Sequence, residues 1–385
     1  MRLSSRIEKV SPSETLALNA LIKQAVAQGE KIVNLTVGEP DCDTPEYIKE
    51  AAVKAIKDGF TKYTPPEGIL PLREAIQKKF AEENGIKYNP NEIIVTTGAK
   101  DALYMLFQVI LNEGDEVIIV SPYWVSYPPQ VRLAGGIPKI ISAPENFSFP
   151  IDEFEKTISK KTKAVIINSP CNPSGAVYDE TTLRRIAEIA QKHNIFIVSD
   201  EIYEKIIYEG GHVSIASFSP DIKNITITIN GFSKTYSMTG WRIGYLAGPE
   251  EIVKGINKIQ SQSTSCPVSI SQKAALAALQ GPQDTIKVMV NEFRKRRDYL
   301  IAELRKLDFF SIGESPGSFY LFPSIRLSKR FLSSEEFCMH LIKEGGVGTV
   351  HGSAFGKEGY IRISYATSIE NLEEAINRIQ KILKN

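Results

Sequence analysis

Ile195-Phe196-Ile197-Val198, followed directly by Ser199-Asp200-Glu201-Ile202-Tyr203, decides the fold. The first four residues are apolar in succession, without the alternation of a half-exposed strand. Such a run suits a strand covered on both faces, as in a parallel sheet flanked by helices. It ends on two carboxylates, and a carboxylate at the end of a buried strand costs desolvation energy unless something pairs with it. Working outward, four more short β-rich runs appear, several of them likewise apolar on successive residues: Ile93-Ile94-Val95-Thr96, Val117-Ile118-Ile119-Val120, Val165-Ile166-Ile167 and Ile225-Thr226-Ile227-Thr228-Ile229. Helical spacing separates them. Thr44-Pro45 offers a capping hydroxyl and a proline at the first helical position, ahead of Ile48, Ala52, Ala55 and Ile56. Asp179 to Asn194 repeats the pattern with Leu183, Ile186, Ala187 and Ala190 on one stripe, and the last helix sets Leu372, Ile376, Ile379 and Leu383 on one face. Residues of roughly 45–285 therefore read as a doubly wound α/β unit. After Gln280-Gly281-Pro282 the character changes. A charged helix from Asn291 to Lys306 leads into alternating segments around Phe319-Tyr320-Leu321-Phe322 and Tyr360-Ile361-Arg362-Ile363, which read as a smaller α+β unit. Periodicity alone does not place residues 1–43.

Composition narrows the classes. The chain has 385 residues, 42% hydrophobic and 24% charged, which excludes a disordered, collagen-like or disulfide-scaffold protein. Lys plus Arg is 46 and Asp plus Glu 45, so no global field draws the chain to nucleic acid or anionic lipid. Cys42, Cys171, Cys266 and Cys338 form no CxxC pair and have no histidine at zinc spacing, so neither structural zinc nor a disulfide framework is expected. The opening MRLSSRIEKVSPSET lacks an apolar signal region, and no stretch approaches the ~18 apolar residues of a membrane span. The expectation is a reduced, cytoplasmic protein.

In open α/β sheets ligands sit beyond the carboxyl ends of the strands, and five strand ends here carry unusual residues. Thr97-Gly98-Ala99-Lys100 opens a helix with small residues, whose exposed N–H groups suit a phosphate. Ser121-Pro122-Tyr123-Trp124 offers an aromatic face to a planar ligand. In Asn168-Ser169-Pro170-Cys171-Asn172-Pro173-Ser174-Gly175, prolines bracket Asn172, which can hydrogen-bond a ring substituent, although turn chemistry alone also accounts for an asparagine there. Asp200 could pair with a protonated heterocycle nitrogen. Gly231-Phe232-Ser233-Lys234 is followed eight residues later by Arg242. A lysine amine in a dry, cationic pocket has its pKa lowered and becomes a nucleophile that forms an imine with an aldehyde; Arg242 supplies a fork for a phosphate. A planar stacker, a pyridinium partner, a phosphate cradle and an imine-forming lysine are the parts needed to bind pyridoxal 5'-phosphate.

With these motifs assembled, the sequence resembles the class I aminotransferases of fold type I, within them the prokaryotic-type aspartate aminotransferase branch. The resemblance runs from about Ser13 to Ile382 and is carried by Val37-Gly38-Glu39-Pro40-Asp41, Lys62-Tyr63-Thr64-Pro65-Pro66-Glu67-Gly68, Asn172-Pro173-Ser174-Gly175, Ser199-Asp200-Glu201-Ile202-Tyr203, Ser233-Lys234 with Arg242, and Arg362-Ile363-Ser364. It implies an α/β fold with a large doubly wound, mostly parallel sheet domain that binds the cofactor (44–285), a smaller α+β C-terminal domain (286–385), and an N-terminal arm that joins the small domain (1–43). It implies Lys234 as the Schiff-base lysine and proton shuttle, Asp200 on the pyridine nitrogen, Asn172 and Tyr203 on the ring hydroxyl, and Trp124 stacked on the ring. Ala99, Lys100 and Arg242 fall in its phosphate-end segments. Gly231 stands where many relatives place a phosphate-binding serine, so Ser233 or backbone is expected to substitute. Arg362 resembles the arginine that holds the substrate α-carboxylate, Gly38 lies where backbone approaches the substrate, and Lys100 matches a residue that helps bind the distal carboxylate. Trp124 and Asn172 also border the substrate. Tyr63 resembles a tyrosine that reaches the cofactor of the neighbouring subunit, which implies a homodimer. The implied reaction is transamination of L-aspartate with 2-oxoglutarate by a ping-pong route, without metal, nucleic acid or membrane.

Other readings stand beside it. The same fold and cofactor support transamination of aromatic or other neutral amino acids, or β-elimination at sulfur amino acids; Lys100 with Arg362 argues for acidic substrates instead. Relatives that accept prephenate carry a basic residue near the arm, where this chain has Ser11. His351 replaces a usual proline before Gly352-Ser353-Ala354-Phe355 and offers a means of tuning specificity, whereas Cys171 reads as a spectator. A cofactor-sensing regulator is disfavoured, because the chain before Gly38 is too short for a DNA-binding domain.

Overall fold

The computed structural model describes residues 4–384. Residues 1–3 and 385, the outer ends of the expected arm and small domain, lie outside the described residues. Seven strands build the main sheet: β1 (Ile93–Thr96), β2 (Glu116–Ser121), β3 (Ile137–Ser142), β4 (Thr162–Asn168), β5 (Phe196–Asp200), β6 (Thr226–Gly231) and β7 (Gly244–Ala247). Their spatial order is β1-β7-β6-β5-β4-β2-β3. Neighbours pair parallel except β7, which is antiparallel to both β1 and β6. Every residue of β1, β2, β6 and β7 is buried, as strands covered by helices on both faces are; in β6 the alternating Thr226, Thr228 and Asn230 are buried along with Ile227 and Ile229.

The departures have physical causes. β3 is an edge strand, mostly exposed or half-exposed, with Pro138 and Lys139 in it, so it carries no apolar run. β7 is four residues opened by a glycine. Ile225 closes the helix Pro220–Ile225 instead of opening β6. Thr44 does not cap the helix Glu46–Lys57. Pro45 is the flanking residue, and the Thr44 hydroxyl donates to the Ser237 carbonyl (2.7 Å) and accepts from the Trp241 indole (3.0 Å). Ile48, Ala52 and Ala55 are buried on that helix, but Ile56, a further ~100° round it, is 53% exposed. The helix Glu180–Lys192 follows expectation: Asp179 accepts from the Thr182 N–H (2.7 Å), and Leu183, Ile186, Ala187 and Ala190 are buried.

A second core lies beside the sheet. The helices Asp284–Leu304 and Ile369–Lys384 pack against a three-stranded sheet whose central strand, Ile361–Ser364, lies antiparallel between Tyr320–Leu321 and Val350–His351. Val33–Asn34 pairs in parallel with Val347–Gly348, and Val33 and Leu35 enter this same core. That pairing is how the N-terminal segment joins the C-terminal part of the chain. Among the described residues no helix is long and apolar enough to cross a membrane.

Candidate active site

The strand ends meet in register. Asn168 lies opposite Asp200, and Asp200 opposite Ile229. Gly231 faces Gly244, and Gly244 faces Thr96. The segments that follow β1 and β6, and the one that precedes β7, are thereby brought to one edge: Gly98-Ala99, Ser233-Lys234 and Arg242. The second core closes over them, and one cavity of about 370 Å³ results. Gly38, Ala99, Lys100, Trp124, Asn172, Asp200, Tyr203, Ser233, Lys234, Arg242 and Arg362 all line it. Tyr63 does not; it stands 88% exposed on the surface. Gly231 does not line it either, and a Cβ there would meet the Gly244 Cα at 3.0 Å, whereas Ser233 does line it.

One end of the cavity is built for an anion. The twelve-residue helix Ala99–Ile110 points its N-terminus at the cavity behind Gly98, whose φ of +88° suits glycine. A Cβ on Gly98 would stand 2.5 Å from the Arg242 guanidinium. Arg242 itself holds a left-handed backbone (φ +50°), a conformation that costs energy for a side chain of its size. Its guanidinium donates to the carbonyls of Thr239 (2.8 Å) and Thr97 (3.4 Å).

At the middle of the cavity Asp200 ends β5, 4% exposed. Burial pushes its carboxyl up to about 6, against the opposing pull of the Tyr127 hydroxyl, the Ile202 N–H and Lys234. Asn168 donates to the Asp200 carbonyl (3.0 Å) and accepts from the Asn172 N–H (2.9 Å), which ties the proline-rich loop to the sheet end. Lys234 donates to the Gly38 carbonyl at 2.5 Å. Burial lowers its ammonium to about 8; Glu39 opposes that fall, and the positive charges of Arg362, Arg242 and Lys100 assist it.

The far wall is Arg362, 3% exposed on its strand. It donates to the Asn172 side-chain carbonyl (3.0 Å) and to the Thr36 carbonyl (2.6 Å), with its guanidinium 4.5 Å from the Tyr320 ring centre. Its Nε is buried and without a partner among the described residues. A guanidinium has five N–H donors and two are engaged, so three are free for an anion. Lys100 lies at the mouth with its ammonium 4.9 Å from the Trp124 ring centre; desolvation and the Arg242 charge lower its pKa. The arrangement can hold a planar group between Trp124, Asp200 and Lys234, an anion at each end, and a proton at the Lys234 amine.

Several lining residues were not expected. Tyr127 donates to Asp200, Tyr320 shares a hydrogen bond with Tyr203 (3.0 Å), and Thr239 donates to Glu39 (2.6 Å). Thr15, Leu16 and Asn19 reach the cavity from the arm helix Glu14–Ala27. Tyr127 had a signal, three residues beyond Trp124 in the same segment; the arm residues had none. His351 and Cys171 do not line the cavity. His351 bonds Ser353 (2.7 Å) and lies 3.6 Å from Glu14, while Cys171 is buried near the Pro122 carbonyl.

The model of the family described as "Aminotransferase class I and II" matches residues 30–379. An aspartate aminotransferase from Bacillus sp. (strain YM-2) is 48% identical, over 99% of this chain and 99% of that protein. A protein of Aquifex aeolicus (strain VF5) named "Probable aspartate/prephenate aminotransferase" is 45% identical, over 99% and 98%. The solved structure of the aspartate aminotransferase from Thermus thermophilus with maleate superposes with a TM-score of 0.95 at 43% identity, over 99% of this chain and 100% of that one.

Proposed function

The chain belongs to the class I and II aminotransferases, enzymes that depend on pyridoxal 5'-phosphate, and on that premise we propose that it transfers the amino group of L-aspartate to 2-oxoglutarate, yielding oxaloacetate and L-glutamate. The observation that carries the substrate class is the charge around the cavity: Lys100, Lys234, Arg242 and Arg362 stand against Asp200 and Glu39. Arg242 serves a phosphate and Arg362 an α-carboxylate. Lys100 is then left for a second carboxylate, that of a dicarboxylic substrate. The maleate in the Thermus structure is also a dicarboxylate. A second reading, toward aromatic or prephenate-like substrates, draws on Leu16 and Trp124, which give the cavity apolar surface, and on the printed name of the Aquifex relative.

The residues fit the cofactor. Asp200 is a buried carboxylate raised to about 6, and a protonated ring nitrogen is the cation such a group lacks. Trp124 would face the ring, Asn172 and Tyr203 would hold its hydroxyl oxygen, and Lys234 would hold its aldehyde carbon. Ser233, Arg242 and the N–H groups at Ala99 would cradle the phosphate. When bound, the group supplies an electron sink for the substrate carbon that loses its proton.

The rest is done by the chain. Arg362 binds the α-carboxylate with its free donors and so orients the α-carbon toward Lys234. The Lys234 amine, at about 8, accepts and returns a proton at Nζ near neutral pH. Thr15, Leu16 and Asn19 of the arm helix line the cavity and take up room beside the substrate. The amino donor leaves as a 2-oxo acid before the acceptor enters, so ping-pong kinetics follow. Tyr63, exposed in the single chain, and Arg242, exposed at the phosphate end, belong in this reading to a homodimer in which Tyr63 completes the partner's site.

The test is the visible spectrum of the cofactor-loaded enzyme during titration with L-aspartate, L-phenylalanine and prephenate's amino product. Aspartate converts the chromophore at the lowest concentration. Lys100→Met raises the concentration of aspartate needed by about 10–100-fold and leaves phenylalanine within about twofold. An aspartate response untouched by that substitution removes the acidic-substrate reading.

A further inference from the structure

Tyr127 begins the helix Tyr127–Leu133 and is 2% exposed. Its hydroxyl donates to Asp200 Oδ2 at 2.7 Å. Its ring meets the Trp124 ring edge to face, with centres 5.4 Å apart and planes at 81°. Its N–H donates to the Trp124 carbonyl at 3.0 Å, which closes the turn between them. The remainder of the side chain packs with Leu103, Ile166 and Val198 in the core of the main sheet. From this geometry we propose that Tyr127 is a positioning residue: its hydroxyl orients the Asp200 carboxylate, its ring holds the Trp124 plane, and both are thereby locked to the sheet core.

Tyr127 acts through Asp200 and Trp124 in the roles proposed for them above. Asp200 has one donor on each oxygen, the Tyr127 hydroxyl on Oδ2 and the Ile202 N–H on Oδ1 at 3.3 Å. Two such donors fix the rotation of a carboxylate about its Cβ–Cγ bond and leave lone pairs for a ring N–H. The charged or titratable groups that face Asp200 are Tyr127, Glu201, Lys234, Cys171 and Tyr203, and Tyr127 is the one whose side chain hydrogen-bonds it. Burial and Glu201 raise the Asp200 pKa; the phenol and Lys234 hold it down. Removing the phenol lets the carboxyl take up a proton at higher pH. Binding a protonated ring nitrogen must then displace that proton, so the affinity falls in acid.

The experiment strips the cofactor from the purified enzyme and measures pyridoxal 5'-phosphate rebinding against pH for the parent, Tyr127→Phe, Tyr127→Ala and Asp200→Asn. Each is also made on a Trp241→Phe background, where Trp124 is the remaining tryptophan of the two in the chain and its fluorescence anisotropy reports the ring's mobility. In the parent, affinity drops below about pH 6. Tyr127→Phe binds about threefold more weakly near pH 6.5 and approaches about tenfold below pH 6, its acid limb moves up by about one pH unit, and the gap narrows toward pH 8. Its Trp124 anisotropy stays at the parental value, whereas Tyr127→Ala also loses that. Asp200→Asn weakens binding and flattens the acid limb. If Tyr127→Phe keeps the parental pH curve while Asp200→Asn does not, the inference about Tyr127 fails and the reading of Asp200 survives. If Asp200→Asn binds like the parent, that reading fails first.

Discussion

Lys234 carries the cost of its own role. An ammonium in an unfolded chain titrates near 10.5, and burial against Arg362, Arg242 and Lys100 brings this one to about 8 despite Glu39. With the folded pKa below the unfolded one, the unfolded chain binds more protons between about pH 8 and 10.5, so the cofactor-free protein gains stability as pH rises through that window. Lys234→Met removes the buried charge. The cofactor-free variant should therefore be more stable than the parent at pH 7 by about 1–2 kcal/mol, with the advantage gone by about pH 10.5, as thermal melts at the two pH values will show. Equal melts at pH 7 would count against it. Lys234, Asp200 and Trp124 stood out in the sequence because Asp200 ends a recognisable strand and the other two follow one by three residues. Tyr127 lies three residues beyond Trp124 in the same segment, but what it does depends on a partner 73 positions away that only the folded sheet supplies.

Elements are held in place by what lies behind the cavity. The loop after β5 carries Ile202 and Tyr203, and a buried polar network pins it. Glu204 pairs with Lys79 of the helix Leu70–Glu83 and accepts from Asn84 (2.9 Å). Glu201 accepts from Ser199 (2.8 Å) and Ser214 (2.7 Å), and His212 lies 2.9 Å away. Burial alone would raise the Glu204 pKa, but Lys79, His212 and Asn84 outweigh it and bring the carboxyl down to about 2. Burial would likewise lower His212, and the Glu201 and Glu204 charges outweigh it and raise it. The signs set a window. Glu204 stabilises above its ordinary 4.5 and loses that as pH falls toward 2. His212 stabilises fully below its ordinary 6.5 and loses that as pH rises through its raised value. Both contributions are complete between about 4.5 and 6.5. Lys79→Met leaves Glu204 buried without its cation and should cost about 3–5 kcal/mol in denaturant unfolding at pH 6. His212→Gln should flatten the alkaline side of the stability profile. A Lys79→Met protein as stable as the parent would mean the pair is solvated. Glu201 stood in the quoted strand end, but Lys79, Asn84 and Ser214 sit in unrelated segments, and no spacing rule links them.

At the scale of the whole molecule, five of the seven strands of the main sheet were legible and two were not. Four of the legible strands carry apolar runs and β6 a β-branched Ile-Thr alternation, and these read directly; edge strand β3 and the short β7 lack the coverage or the length to leave the pattern. Val33–Asn34 is two residues long, so its pairing with Val347–Gly348, across most of the chain, left no periodicity to find. The proposed homodimer is a further property of the whole that follows from surface rather than core. Tyr63 is 88% exposed on a chain whose other expected site residues line one cavity, and Arg242 is exposed at the anion end of that cavity. If a partner's Tyr63 completes the anion site, cofactor affinity and subunit association are linked, and each strengthens the other by the same factor. Sedimentation of the cofactor-loaded enzyme should then show a dimer that persists to lower protein concentration than the cofactor-free form. Tyr63→Phe should weaken cofactor binding by about three- to tenfold, the worth of one hydrogen bond to a charged group when water partly replaces it. It should narrow that difference in dimer persistence without altering the thermal stability of the cofactor-free chain, since an exposed tyrosine makes few contacts within its own subunit. A cofactor affinity indifferent to both dilution and the Tyr63 hydroxyl would show instead that each chain completes its own site, with Arg242, Ser233 and the helix at Ala99 sufficient for the anion.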